Sequence, residues 1–91
     1  MIHVRVIVSG RVQGVGFRWF VRQEARRLGV AGWVRNREDG TVELETSGAD
    51  PAVERLLAHV RVGPEAAEVN DIVVERLEVR GNMPYPFGIL K

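Results

Sequence analysis

The stretch VAGWVRNREDGTVELET, residues 30–46, decides the fold. Residues 30–36 are apolar and β-prone. Residues 41–46 place Val42 and Leu44 opposite Glu43 and Glu45 in strict alternation, so both halves read as strands. Between them Asp39-Gly40 closes Arg37-Glu38-Asp39-Gly40, a tight-turn signal that makes the two strands antiparallel neighbours. Upstream, Ile2, Val4, Val6 and Val8 recur at period two, which predicts a first strand over residues 2–8 with one buried face. Phe17 to Leu28 then carries Phe17, Val21, Ala25 and Leu28 on one helical face, with Trp19 nearly opposite, and Gly29 is a stop signal. Downstream, Asp50 is expected as N-cap and Pro51 as first helical residue of a second helix. Its Val53, Leu56, Leu57 and Val60 follow core spacing, and Gly63-Pro64 ends it. Val69 to Val79 reads as a fourth strand, residues 81–86 as a loop, and Phe87 to Leu90 as a short apolar tail.

The order β-α-β-β-α-β is the ferredoxin-like split βαβ pattern of the α+β class, with two helices on one face of an antiparallel sheet. We expect residues 1–91 to form one domain. The architecture alone assigns no function, because it hosts enzymes, RNA binders and metal carriers.

Composition removes several classes. There is no cysteine, so no disulfide framework, thiolate nucleophile or Cys-containing zinc site is available. No segment has the length of a signal peptide's apolar core or of a membrane span, so a soluble cytoplasmic protein is expected. A net charge of +1 provides no global field for nucleic acid or an acidic membrane. His3 on the polar face of the first strand and His59 off the apolar stripe of the second helix are expected to be solvated, which makes a poor metal site. Glu43 and Glu45 are expected to face solvent, and Ser9 is read as a turn hydroxyl.

The chemistry is expected between the first strand and the first helix. In Ser9-Gly10-Arg11-Val12-Gln13-Gly14-Val15-Gly16-Phe17-Arg18, three glycines let the backbone curl until successive N–H groups face one concavity. The first helical turn adds its unpaired donors. Arg18 could grip the same anion with its planar guanidinium. Such a turn also occurs with no ligand, and its spacing matches neither GxGxxG nor GxxxxGK[ST]. Asn36 could merely open the hairpin. In a split βαβ unit, however, the first two strands run parallel with the third between them. The end of the second strand therefore emerges at the same sheet edge as the glycine loop.

At these residues the sequence resembles the acylphosphatase family, through GRVQGVGFR at 10–18, GWVRN at 32–36, DGTVE at 39–43 and Tyr85-Pro86-Phe87-Gly88-Ile89. Arg37 and Glu65-Ala66-Ala67-Glu68 depart from the family's pattern. The resemblance implies hydrolysis of the carboxyl-phosphate bond of a small acyl phosphate without metal or other cofactor, and a monomer is expected. It gives Arg18 the phosphate-binding role and Asn36 the water-orienting role. Gln13, Gly14, Val15, Gly16 and Phe17 would supply the loop amides that bind the phosphoryl oxygens. An RNA-binding module is the rival from another class, on Arg22, Arg26 and Arg27 with aromatics nearby. Its stacking platform is missing, since the strands offer only Trp33. A binding-only acyl-phosphate or anion sensor would need the same loop.

Overall fold

The structure is a computed structural model that describes residues 1–79 and 81–90. Its elements are β1 (Ile2–Arg11), α1 (Phe17–Leu28), β2 (Ala31–Asn36), β3 (Val42–Gly48), α2 (Asp50–Val62), β4 (Glu68–Leu77) and β5 (Gly88–Ile89). The expected ferredoxin-like βαββαβ order is present, with one addition. The apolar tail joins its own sheet as β5, which lies parallel to β2 with Trp33 opposite Gly88, so the sheet is mixed rather than wholly antiparallel. Its five strands run in the order β4-β1-β3-β2-β5.

β1 and β2 are both antiparallel to β3, which lies between them, so β1 and β2 point the same way. Their C-terminal ends therefore share one edge. This topological fact positions the site.

Alternation along β1 buries Val4, Val6 and Val8 on the side that receives both helices. Val34 of β2 and Val42 and Leu44 of β3 continue that surface. Phe17, Val21 and Ala25 of α1, with Val53, Leu56, Leu57 and Val60 of α2, close over it, and Phe87 seals the β5 side. These are the stripes that the helical and strand periodicities specify. The α2 start differs by one residue from the sequence reading. Ala49 is the N-cap, so Asp50 lies inside the first turn, where its carboxylate meets the helix's positive end and stands 3.5 Å from the N-terminal amine of Met1.

β1 continues to Arg11, three residues past the expected stop, because β4 pairs with it as far as Glu68. Ser9 is accordingly a strand residue opposite Asp71 and not a turn hydroxyl. The ladder slips between Ser9 and Gly10, and Gly10 takes φ 126° so close to β4 that a Cβ there would stand 2.1 Å from the Glu68 carbonyl oxygen. Gly10→Ala should therefore destabilise the protein by about 2 kcal/mol or more. Urea unfolding followed by circular dichroism would measure it, and an unchanged midpoint would contradict this account of the bulge.

The opposite face of the sheet corrects three readings. His3 is fully buried, not solvated, and its Nε2 donates to Glu45 Oε1 at 2.6 Å. It sits in a cross-strand row with Ser47 and Leu77, at the end of the sheet where the Pro84 carbonyl accepts a hydrogen bond from Gly32 N. Glu43 is 5% exposed rather than solvent-facing. Its Oε1 accepts from Arg35 Nε at 2.7 Å, while Arg5 Nε lies 3.8 Å from its Oε2 and Arg5 Nη2 lies 3.1 Å from Glu75. The Arg35 guanidinium also sits 5.7 Å from the centre of the Trp33 ring. These strands lay arginines beside a central glutamate, and the neighbouring cations permit its burial. Glu43 and Glu45 are thus committed to structural pairs.

Candidate active site

The chain leaves β1 through Val12, which is buried, and turns through residues 13–16 into α1. Gly14 and Gly16 both adopt left-handed backbone, φ 73° and 77°, and nothing stands within 4 Å of where a Cβ would be at either one. Their requirement is therefore conformational and not steric, since only glycine enters that region at little cost. Gly16 is also the N-cap of α1. No side chain caps this end, and the first turn holds no acidic residue. Its N–H groups and the positive helix end are left to face the cleft.

That cleft has a volume of about 200 Å³. Gly14, Gly16, Phe17 and Arg18 line it from the loop side, and Asn36, the last residue of β2, lines it from across the sheet edge. It is smaller than the roughly 300–1,000 Å³ of sites for drug-sized ligands and suits a small polyatomic anion. Arg18 is half-buried and takes part in none of the ion pairs formed among the described residues. Asn36 Oδ1 is buried and has no hydrogen-bond partner among the described residues. A buried amide oxygen without a donor is costly, and this one belongs to a side chain of the cleft lining.

Two loop residues of the expected set stand apart. Val15 is half-buried against the core rather than in the cleft lining. The Gln13 side chain reaches away to the hairpin, where its Nε2 donates to the carbonyls of Arg37 at 2.8 Å and Thr41 at 2.9 Å. The cleft has an apolar side that the sequence reading did not assign, formed by Val12, Trp19 and Ile89. Trp19 is 57% exposed, and its place opposite the α1 core stripe was the available signal. Ile89 reaches the cleft only because β5 lies beside β2.

The hairpin beyond Asn36 is held by Arg37 N donating to the Thr41 carbonyl at 2.9 Å. The Asp39 carboxylate accepts from the Thr41 hydroxyl at 2.6 Å and from Thr41 N at 3.0 Å, and these bonds hold Asp39 below the ordinary carboxylate range. A second, open hollow of about 600 Å³ borders Asn36 and is walled by Arg35, Arg37, Glu38 and Asp39. It holds arginines together with carboxylates, and Arg35 is already committed to Glu43, so the smaller cleft is the better anion site.

Elsewhere several titratable groups pair locally. His59 is partly exposed. Its Nε2 accepts from Arg27 at 3.2 Å and lies 3.4 Å from Glu24, so each histidine has a nearby carboxylate that the sequence reading lacked. Among the described residues no three of His, Cys, Asp or Glu gather as a metal site would require. Arg26 donates to the Phe87 carbonyl at 2.8 Å and Arg27 to Glu24 at 2.6 Å, so two of the three arginines on which an RNA-binding reading rests are engaged within the fold. No described helix is long and apolar enough to cross a membrane.

Fold and cleft together define an α+β domain of ferredoxin-like topology, with an arginine, a glycine loop and an asparagine converging at one sheet edge. The sequence model of the Acylphosphatase family matches residues 4–89. The chain is 50% identical over 86 residues to an acylphosphatase of Rhizobium etli, covering 94% of this chain and 90% of that one. It is 59% identical over 73 residues to an acylphosphatase of Acidiphilium cryptum, covering 80% of each. The crystal structure of acylphosphatase from Bacillus subtilis superposes with a TM-score of 0.95 at 41% identity, covering all of both chains. The chain belongs to the acylphosphatase family.

Proposed function

We propose that the protein is an acylphosphatase, hydrolysing the carboxyl-phosphate bond of acyl phosphates to a carboxylate and inorganic phosphate. Supporting the residue roles is one observation above the others, the meeting of Asn36, whose Oδ1 has no partner among the described residues, with Arg18 and the glycine loop in one cleft lining.

The phosphoryl oxygens lie against the N–H groups of the loop and first helical turn, with the Arg18 guanidinium giving parallel hydrogen bonds to two of them. These contacts neutralise charge and fix orientation, which is most of what phosphoryl transfer requires. Asn36 Oδ1 accepts a hydrogen bond from the attacking water and holds it in line with the breaking P–O bond. The leaving acyl group then lies on the side of the phosphorus away from Asn36. The departing carboxylate has a conjugate acid of pKa about 4, so it leaves as the anion without a general acid. The phosphoryl group itself takes up the water's proton. His3, Glu43, Glu45 and Ser9 need take no part, which agrees with their structural commitments.

The purified protein should release phosphate from acetyl phosphate in EDTA at the rate seen without chelator. A rate no higher than the spontaneous one would leave the binding-only sensor as the reading, and a rate abolished by EDTA would require a metal in the mechanism. A monomer acting in the cytoplasm on a small-molecule substrate completes the proposal.

A further inference from the structure

Gln13 belongs to the anion loop, yet its side chain makes its bonds elsewhere. The carboxamide NH2 has two hydrogens, and Gln13 Nε2 uses them on two acceptors, the carbonyls of Arg37 at 2.8 Å and Thr41 at 2.9 Å. These carbonyls belong to the two strands' junction with the hairpin turn, and the Thr41 carbonyl also accepts from Arg37 N at 2.9 Å. Arg37 follows Asn36 directly, and Asn36 is paired with Val42, the neighbour of Thr41. One half-buried amide thus bridges the residue before Gly14 to the residue after Asn36.

The bridge spans a gap that the sheet does not control closely. The loop hangs from β1, Asn36 ends β2, and β3 separates those strands. Residues 13–16 form no helix or strand, and Gly14 and Gly16 give that segment freedom to shift. In-line attack depends on the separation between phosphorus and water, and a 1 Å misplacement costs about 10²-fold in rate.

We infer that Gln13 is a positioning residue for the hydrolysis: its side-chain amide sets the spacing between the phosphate-binding loop and Asn36, and so places the attacking water. This rests on the acylphosphatase reading above. The function is separate from any phosphate contact by the Gln13 backbone, and it is specific to the amide. Methionine matches the length and bulk without either donor, and glutamate would set an oxygen against two carbonyls.

The test is a double-mutant cycle on the full chain with acetyl phosphate as substrate and inorganic phosphate as competitive inhibitor. Gln13→Met should lower kcat by about 10-fold to 10²-fold while leaving the inhibition constant of phosphate within about threefold, because only water placement is loosened. Gln13→Met introduced into Asn36→Ala should lower kcat by less than about twofold further, since the residue through which it acts is gone. Equal losses in the two backgrounds would overturn the inference, as would an unchanged kcat in the single variant or a phosphate constant that rises in step with the fall in kcat. Should Gln13→Met melt below the assay temperature, Gln13→Ala supplies the same comparison, removing both donors without setting an oxygen against the two carbonyls. The acylphosphatase reading fails separately, through absence of turnover by the unsubstituted protein.

Discussion

Arg18→Gln should raise the inhibition constant of inorganic phosphate by about 10²-fold and lower kcat/KM by about 10³-fold or more. The first figure follows from two charge-assisted hydrogen bonds, each about 1.5–3 kcal/mol, set against the weaker neutral bond that glutamine can supply. The second is larger because charge on the equatorial oxygens is redistributed at the transition state, where an arginine contributes about 10³–10⁵ in related phosphoryl transfers. Arg18 takes part in none of the ion pairs formed among the described residues, so its removal uncovers no buried carboxylate and should leave the melting temperature within a few degrees. Initial rates with phosphate as inhibitor measure both quantities. An inhibition constant within threefold of the starting value would remove Arg18 from the phosphate site.

Asn36→Ala should separate the other half of the mechanism. Here kcat falls by about 10²-fold to 10³-fold, the cost of losing one preorganised polar group at a reacting centre, while phosphate inhibition stays within about threefold. The variant also removes a buried oxygen that has no donor among the described residues, so it should not destabilise the fold and could raise the melting temperature slightly. A fall in phosphate affinity equal to the fall in kcat would mean that Asn36 contacts the phosphoryl group rather than the water.

The sequence carried the framework of this site well, because each part has a local signal. Period-two alternation in residues 2–8 and 41–46, Asp39-Gly40, and the apolar spacing of both helices determine the split βαβ order, and that order forces the ends of β1 and β2 to one edge. Arg18 and Asn36 could be brought together on paper for that reason alone. What remained illegible depends on non-local partners. His3 and Glu43 look like solvated polar residues until cross-strand register places Glu45 beside the first and Arg5 and Arg35 beside the second. Register is a relation between strands, and no window of one strand contains it. Ile89 joined the cleft through a two-residue strand too short to leave a periodic pattern. The bonds of the Gln13 side chain run to backbone carbonyls, which every residue possesses, so no residue type could advertise them.

The placement of β1 between β3 and β4 bears on how costly each half of the cleft is to assemble. The Asn36 half rests on β2 and β3, neighbours in sequence joined across a short turn, so the entropy lost in closing it is small. The glycine loop is anchored where β1 meets β4, with Ile7 opposite Val73, and closing so distant a pair removes far more freedom from the chain. A chain that has formed only its hairpin therefore carries Asn36 on a finished strand end, while the strand from which the glycine loop hangs is not yet held against β4. The anchoring of the loop comes with the completion of the sheet.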